Sequence, residues 1–226
     1  MESMRAFFSF LGSRKGRSTI RFAFLLAGVF AVTVLTGCEN LSYGGGARAF
    51  DTVVVDAGHG AHDSGARSRA GSPEKMKALD ISQRLARELR QAGFRVVMTR
   101  NSDVFVPLAS RVAVSNRIPN SIFVSVHLNW SSRSAAQGLE TYYYSARSRR
   151  LAQNIQREIL RVYPANNRGV KFARFHVLRN NRRPAVLVEC GFLSNPYEAG
   201  LNESASHRQE MAERIARGII NERRSN

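Results

Sequence analysis

Thr52-Val53-Val54-Val55-Asp56-Ala57-Gly58-His59-Gly60 begins with a continuous apolar, β-branched run, Thr52–Val55, and opens into a glycine-flanked loop carrying a histidine. A strand apolar at every position is buried on both faces, as in a parallel sheet covered by helices. The segments downstream repeat the theme. Ser72-Pro73-Glu74 reads as a helix start, with Ser72 as N-cap and Pro73 in the first position. Ala78, Ile81, Leu85, Ala86 and Leu89 then share one helical face, and Gly93 closes it. Further strands are predicted at Phe94–Thr99, Ile122–His127, Leu139–Tyr144 and Ala185–Glu189. Helices are predicted at Leu108–Asn116, Ala146–Tyr163 and His207–Arg223. Strands alternating with helices predict a single α/β domain over residues 51–226, with a mostly parallel twisted sheet and helices on both faces.

Upstream of this domain, Arg14, Lys15, Arg17 and Arg21 precede an apolar run from Phe22 to Leu35. Its 14 residues fall short of the roughly 20 that span a bilayer, and they suit a signal-peptide core. Leu35-Thr36-Gly37-Cys38 follows at once and resembles a bacterial lipobox, in which the cysteine is lipid-modified after cleavage before it. Residues 1–37 are therefore expected to be a lipoprotein signal peptide, and residues 38–50 a lipidated tether. About a dozen tether residues extend to about 40 Å. The expected location is the periplasmic side of the cell envelope. Glu39 after the cysteine, in place of Asp, points to the outer membrane.

The chain has a formal charge of +17 and only two cysteines, Cys38 and Cys190. Basic proteins are drawn to polyanions. Export removes nucleic acid as a natural partner. With Cys38 lipidated, Cys190 has no partner within the chain, so no disulfide framework is expected.

His59 lies just past one buried strand and His127 at the end of another. Sites in open α/β sheets gather beyond the carboxyl ends of strands. Glu74, in the first turn of the intervening helix, can point into the same region. Each has a bland reading taken singly: a satisfied loop or core histidine, or a carboxylate favoured by a helix N-terminus. Together, two histidines and one carboxylate form a common catalytic zinc set with one position left open. Glu189 ends the apolar strand Pro184-Ala185-Val186-Leu187-Val188-Glu189. A carboxylate there is costly unless it is paired or near a metal. It is either a buried partner of an arginine or a general base and acid. Cys190 should point to the opposite face, as a buried small hydrophobe.

These residues sit in a wider pattern. It comprises Val55–Gly60, Glu74 opening a long helix, Met98-Thr99-Arg100, Arg111 and Asn116. It continues with Ser125-Val126-His127-Leu128-Asn129, Gly138-Leu139-Glu140-Thr141-Tyr142-Tyr143, Val177-Leu178-Arg179 and Pro184–Asn195. In content, order and spacing the chain resembles the zinc-dependent N-acetylmuramoyl-L-alanine amidases of the amidase-3 type, from about Thr52 to the C-terminus. The resemblance implies zinc on His59, Glu74 and His127, with Glu189 catalytic. It implies peptidoglycan as substrate, cut at the amide between N-acetylmuramic acid and L-alanine.

Two classes of alternative remain: an inactive wall-binding or activator protein on the same fold, and a zinc peptidase cutting within the stem peptide. Asn129 and Arg179 are candidate substrate contacts. Arg179 is read either as a carboxylate or oxyanion partner or as half of a structural ion pair. Trp130 offers a sugar-stacking surface or simple packing. His62 and His207 read as surface residues, and His176 as a loop residue near the site. Only residues 128–137 separate His127 from Gly138. That is too short for the inhibitory helix some relatives carry there, so no obligatory activator is expected, and the chain is read as a monomer.

Overall fold

The computed structural model describes residues 50–68, 71 and 73–225. The expected signal peptide, Cys38, the tether up to residue 49 and the Ser72 cap lie outside these residues.

Six strands form one sheet in the order β2-β1-β3-β6-β4-β5. β1 (Thr52–Ala57) pairs in parallel with β2 (Arg95–Met98) on one side and β3 (Ser121–Asn129) on the other. β6 (Ala185–Phe192) adds in parallel to β3. β4 (Leu139–Tyr143) runs antiparallel to β6, and β5 (Asn167–Phe172) runs parallel to β4. The sheet is mostly parallel, as the buried strand at Thr52 required.

Helices cover both faces. α1 (Glu74–Gln91), α3 (Arg149–Ile159) and α6 (Ala205–Arg224) share the larger core with alternate strand residues such as Val53, Val55, Ile122, Val124 and Val186. α2 (Leu108–Arg117) and the one-turn α4 (His176–Arg179) cover the other face, over Val54, Phe123 and Leu187. Burying the stripe Ala78, Ile81, Leu85, Ala86 and Leu89 stabilises α1 by roughly 1.5–3 kcal/mol per large side chain. Cys190 is buried with the larger core, on the side opposite Leu187, and burial pushes its thiol far up.

Three expectations need correction. Pro73 is the N-cap of α1 rather than its first residue, and it offers no side-chain cap. The helix expected over Ala146–Tyr163 is a 3-10 turn at Ala146–Ser148 followed by α3, which stops at Ile159. Pro164 disfavours helical backbone at Tyr163. His207 is buried rather than on the surface, with its ring 5.4 Å from Tyr163. Three elements are additional: the edge strand β5, the single turn α4 and α5 (Pro196–Glu203), which Asn195 caps by accepting from the Tyr197 and Glu198 amides.

Candidate metal centre and active site

β1 ends at Ala57, and the chain turns through His59 in left-handed backbone at φ 61°. Such backbone is strained for a residue with a side chain, so it needs outside support. Two buried arginines supply it. Arg111 donates to the carbonyls of Ala57 (2.5 Å) and His59 (2.7 Å) and to Asp56 Oδ1 (2.8 Å). Arg100 donates to the carbonyls of Ala57 (2.9 Å), Gly58 (2.6 Å) and Lys75 (2.8 Å). Arg100 thus ties the His59 loop to the first turn of α1, beside Glu74. Asp56 also accepts from Thr99 and Ser125.

The three expected ligands meet. Their ligating atoms all lie within 4.8 Å of one another. His59 Nε2 and His127 Nδ1 lie 3.0 Å and 2.9 Å from the same Glu74 oxygen, Oε1. The Leu128 amide also donates to that oxygen, and the Ala66 amide donates to the other, so α1's first side chain is fixed in place. His59 donates its second ring nitrogen to Asp63 Oδ1 at 2.9 Å, which leaves Nε2 facing the cluster. A carboxylate on the far nitrogen is the common device for orienting a ligating histidine. Gly58 makes room: a Cβ there would lie 2.4 Å from the His127 ring.

Burial alone would push the Glu74 carboxyl up, but the bonds and charges of His127 and His59 outweigh it and hold it far below the usual range. Burial alone would lower both histidines, and Glu74 raises both, with help from Asp63 at His59. Two histidines around one buried carboxylate form a donor set that suits a divalent cation.

Glu189 stands in register with His127 on the neighbouring strand. Its Oε2 is sealed from solvent and has no hydrogen-bond partner among the described residues. Burial pushes its carboxyl up to about 7; Glu74 and Glu140 add to the shift, while His127 and His59 oppose it. The alternative of an arginine partner is not what the structure shows.

A cleft of about 520 Å³ opens over His59, His127 and Glu189. Phe105 and Leu108 line it from the segment entering α2, and Phe175, His176 and Val177 from the segment entering α4. A larger groove of about 690 Å³, between α1 and β2, contains none of these groups. His176 thus reaches the site. His62 is exposed and stacks on Phe105, 4.2 Å between centroids. Arg179 is exposed and does not line the cleft, and its side chain makes no hydrogen bond or ion pair among the described residues. Asn129 donates to Glu140, and its Oδ1 accepts from the Trp130 amide. Trp130 itself is exposed, so packing does not explain it.

Residues 53–221 match the family model described as N-acetylmuramoyl-L-alanine amidase. The chain belongs to this amidase family. It is 35% identical over 174 residues to the N-acetylmuramoyl-L-alanine amidase LytC of Bacillus subtilis (strain 168), covering 75% of this chain but only 35% of LytC. This amidase-family domain therefore spans about a third of that relative. Among solved structures it resembles the amidase AmiC2 of Nostoc punctiforme, with TM-score 0.73 and 40% identity over 78% of this chain and 98% of that one. It also resembles the CwlD amidase of Clostridioides difficile, solved in complex with the GerS lipoprotein, with TM-score 0.75 and 31% identity over 78% of this chain and 100% of CwlD.

Proposed function

We propose that this chain hydrolyses the amide between the lactyl group of N-acetylmuramic acid and L-alanine in peptidoglycan, with zinc on His59, Glu74 and His127. The observation that carries the reading is the convergence of those three side chains beside the sealed, unpaired oxygen of Glu189. When bound, zinc supplies Lewis-acid polarisation and makes water a nucleophile near neutral pH.

The chain's own residues do the rest. Glu189, as the ionised carboxylate, accepts the proton from the attacking water. The water oxygen bonds to the amide carbon, the carbon–nitrogen bond breaks, and Glu189 returns the proton to the leaving alanine nitrogen. Phe105, Leu108 and Phe175 give the cleft an apolar wall beside these polar groups.

The reading extends to the setting. The segment ending at Cys38 supports a lipid anchor in the envelope, with the domain acting as a monomer. The short link from His127 to Gly138 supports activity without a second protein.

The test is digestion of purified peptidoglycan by zinc-loaded protein with nothing else added. Stem peptides should be released, leaving muramic acid with a free lactyl carboxylate, and a chelator should stop it. Glu189→Gln should keep zinc and lose at least a hundredfold in rate. Binding to sacculi without peptide release would favour an inactive wall-binding protein, and cuts inside the peptide would favour a peptidase.

A further inference from the structure

The row of residues that crosses the sheet at the active site does not stop at Glu189. His127 on β3 faces Glu189 on β6, Glu189 faces Glu140 on β4, and Glu140 faces Gly169 on the edge strand β5. Side chains directly opposite each other share a face, with Cβ atoms about 4.5–5.5 Å apart. Two carboxylates side by side repel unless one is neutralised. Glu140 is neutralised in excess. Asn129 and Tyr142 donate to its Oε1, while Arg168 Nε (2.9 Å) and Lys171 Nζ donate to its Oε2. Two cations on one carboxylate leave one net positive charge next to the catalytic row.

That charge is accessible. The side chains of Arg168 and Lys171 are 36% and 37% exposed. Arg168 uses Nε on Glu140 and lies 4.9 Å over the Phe192 ring. Its terminal nitrogens make no hydrogen bond among the described residues. A guanidinium fixed at one edge, with its end free, is suited to a second carboxylate. Gly169 leaves the row open at this point, since a Cβ there would meet nothing within 4 Å.

We propose that Arg168 and Lys171, held in place by Glu140, form a subsite for a carboxylate on the peptide side of the substrate. The inference rests on the amidase reading, because it places the scissile amide over His127 and Glu189. Strands lie about 4.8 Å apart, so β4 and β5 lie about 5 and 10 Å beyond Glu189. Two extended residues reach about 7 Å, which brings the residue after the alanine alongside the two cations. If neutralising Glu140 were their only task, one cation would suffice. The structure assigns the second to the substrate.

The test needs no turnover. L-alanyl-D-glutamate and L-alanyl-D-isoglutamine differ by the one α-carboxylate, and their binding to the zinc-loaded full chain can be compared by calorimetry. The wild type should bind the glutamate peptide at least tenfold more tightly, less so at high salt, and Arg168→Gln should abolish the preference. Equal binding of the two peptides, binding of neither, or a preference that survives in Arg168→Gln would overturn the subsite. Protein that digests sacculi without the preference retains the amidase reading and loses only the subsite. A preference without digestion does the reverse.

Discussion

Glu189 is partly covered as a residue, yet one of its oxygens is sealed and unpartnered. A buried carboxylate without a partner is costly, and the cost appears as a raised affinity for protons. In the absence of metal, burial raises this carboxyl from the usual 4.5 to about 7. The sign follows from linkage. A carboxyl that binds its proton more tightly when folded contributes stability below pH 4.5, and that contribution is lost as pH rises through 7. Glu189→Gln removes the titration. With chelator present, the variant should gain on wild type by about 1–3 kcal/mol between pH 4 and pH 8, read from urea unfolding midpoints. A difference that stays constant across that range would show that Glu189 is not held in this way. The same sealed oxygen that costs the fold stability above pH 7 is the one proposed to carry the proton.

At the scale of elements, the site depends on how β1 ends. Asp56, Arg111 and the carbonyls of Ala57 and His59 form a buried polar knot under the loop. Removing one partner of a buried ion pair leaves the other charge exposed to a low-dielectric interior. Arg111→Leu should cost about 3–5 kcal/mol in denaturant unfolding. A loss under 1 kcal/mol would mean that Thr99 and Ser125 hold Asp56 unaided.

β1, β3 and β6 were legible in the sequence because burial on both faces leaves unbroken apolar runs. Their ends bring His59, His127 and Glu189 into one region, and the first turn of α1 brings Glu74 there. β5 was not legible. As an edge strand it is mostly uncovered, so Asn167, Arg168, Gly169 and Lys171 give no apolar rhythm. α4, at four residues, is too short to show a helical period. Arg179 drew attention through its motif, but the turn that carries it puts His176 and Val177, not Arg179, into the cleft. The roles of Arg100 and Arg111 were hidden for another reason: both act through backbone carbonyls, and nothing in the sequence marks a carbonyl as a partner.

At the scale of the whole molecule, the proposed anchor and the catalytic domain make separable demands. The domain's core closes within residues 50–225, and no described helix is long and apolar enough to cross a membrane. Cys38→Ala should therefore move the protein out of the membrane fraction and leave its digestion of purified sacculi within twofold of wild type. Retention of the variant in membranes would refute the lipid anchor.

The strand order carries a consequence for the growing chain. β3 and β4 are neighbours in sequence, yet β6 lies between them in the sheet. The residues proposed to hold the metal are complete once His127 has been made, whereas Glu189 arrives only with the strand that lies between β3 and β4. Such long-range parallel pairing is slow to form. A half-made or clipped chain would thus carry all three proposed metal ligands while lacking the proposed proton carrier, so on this reading cutting waits for the last strand of the sheet.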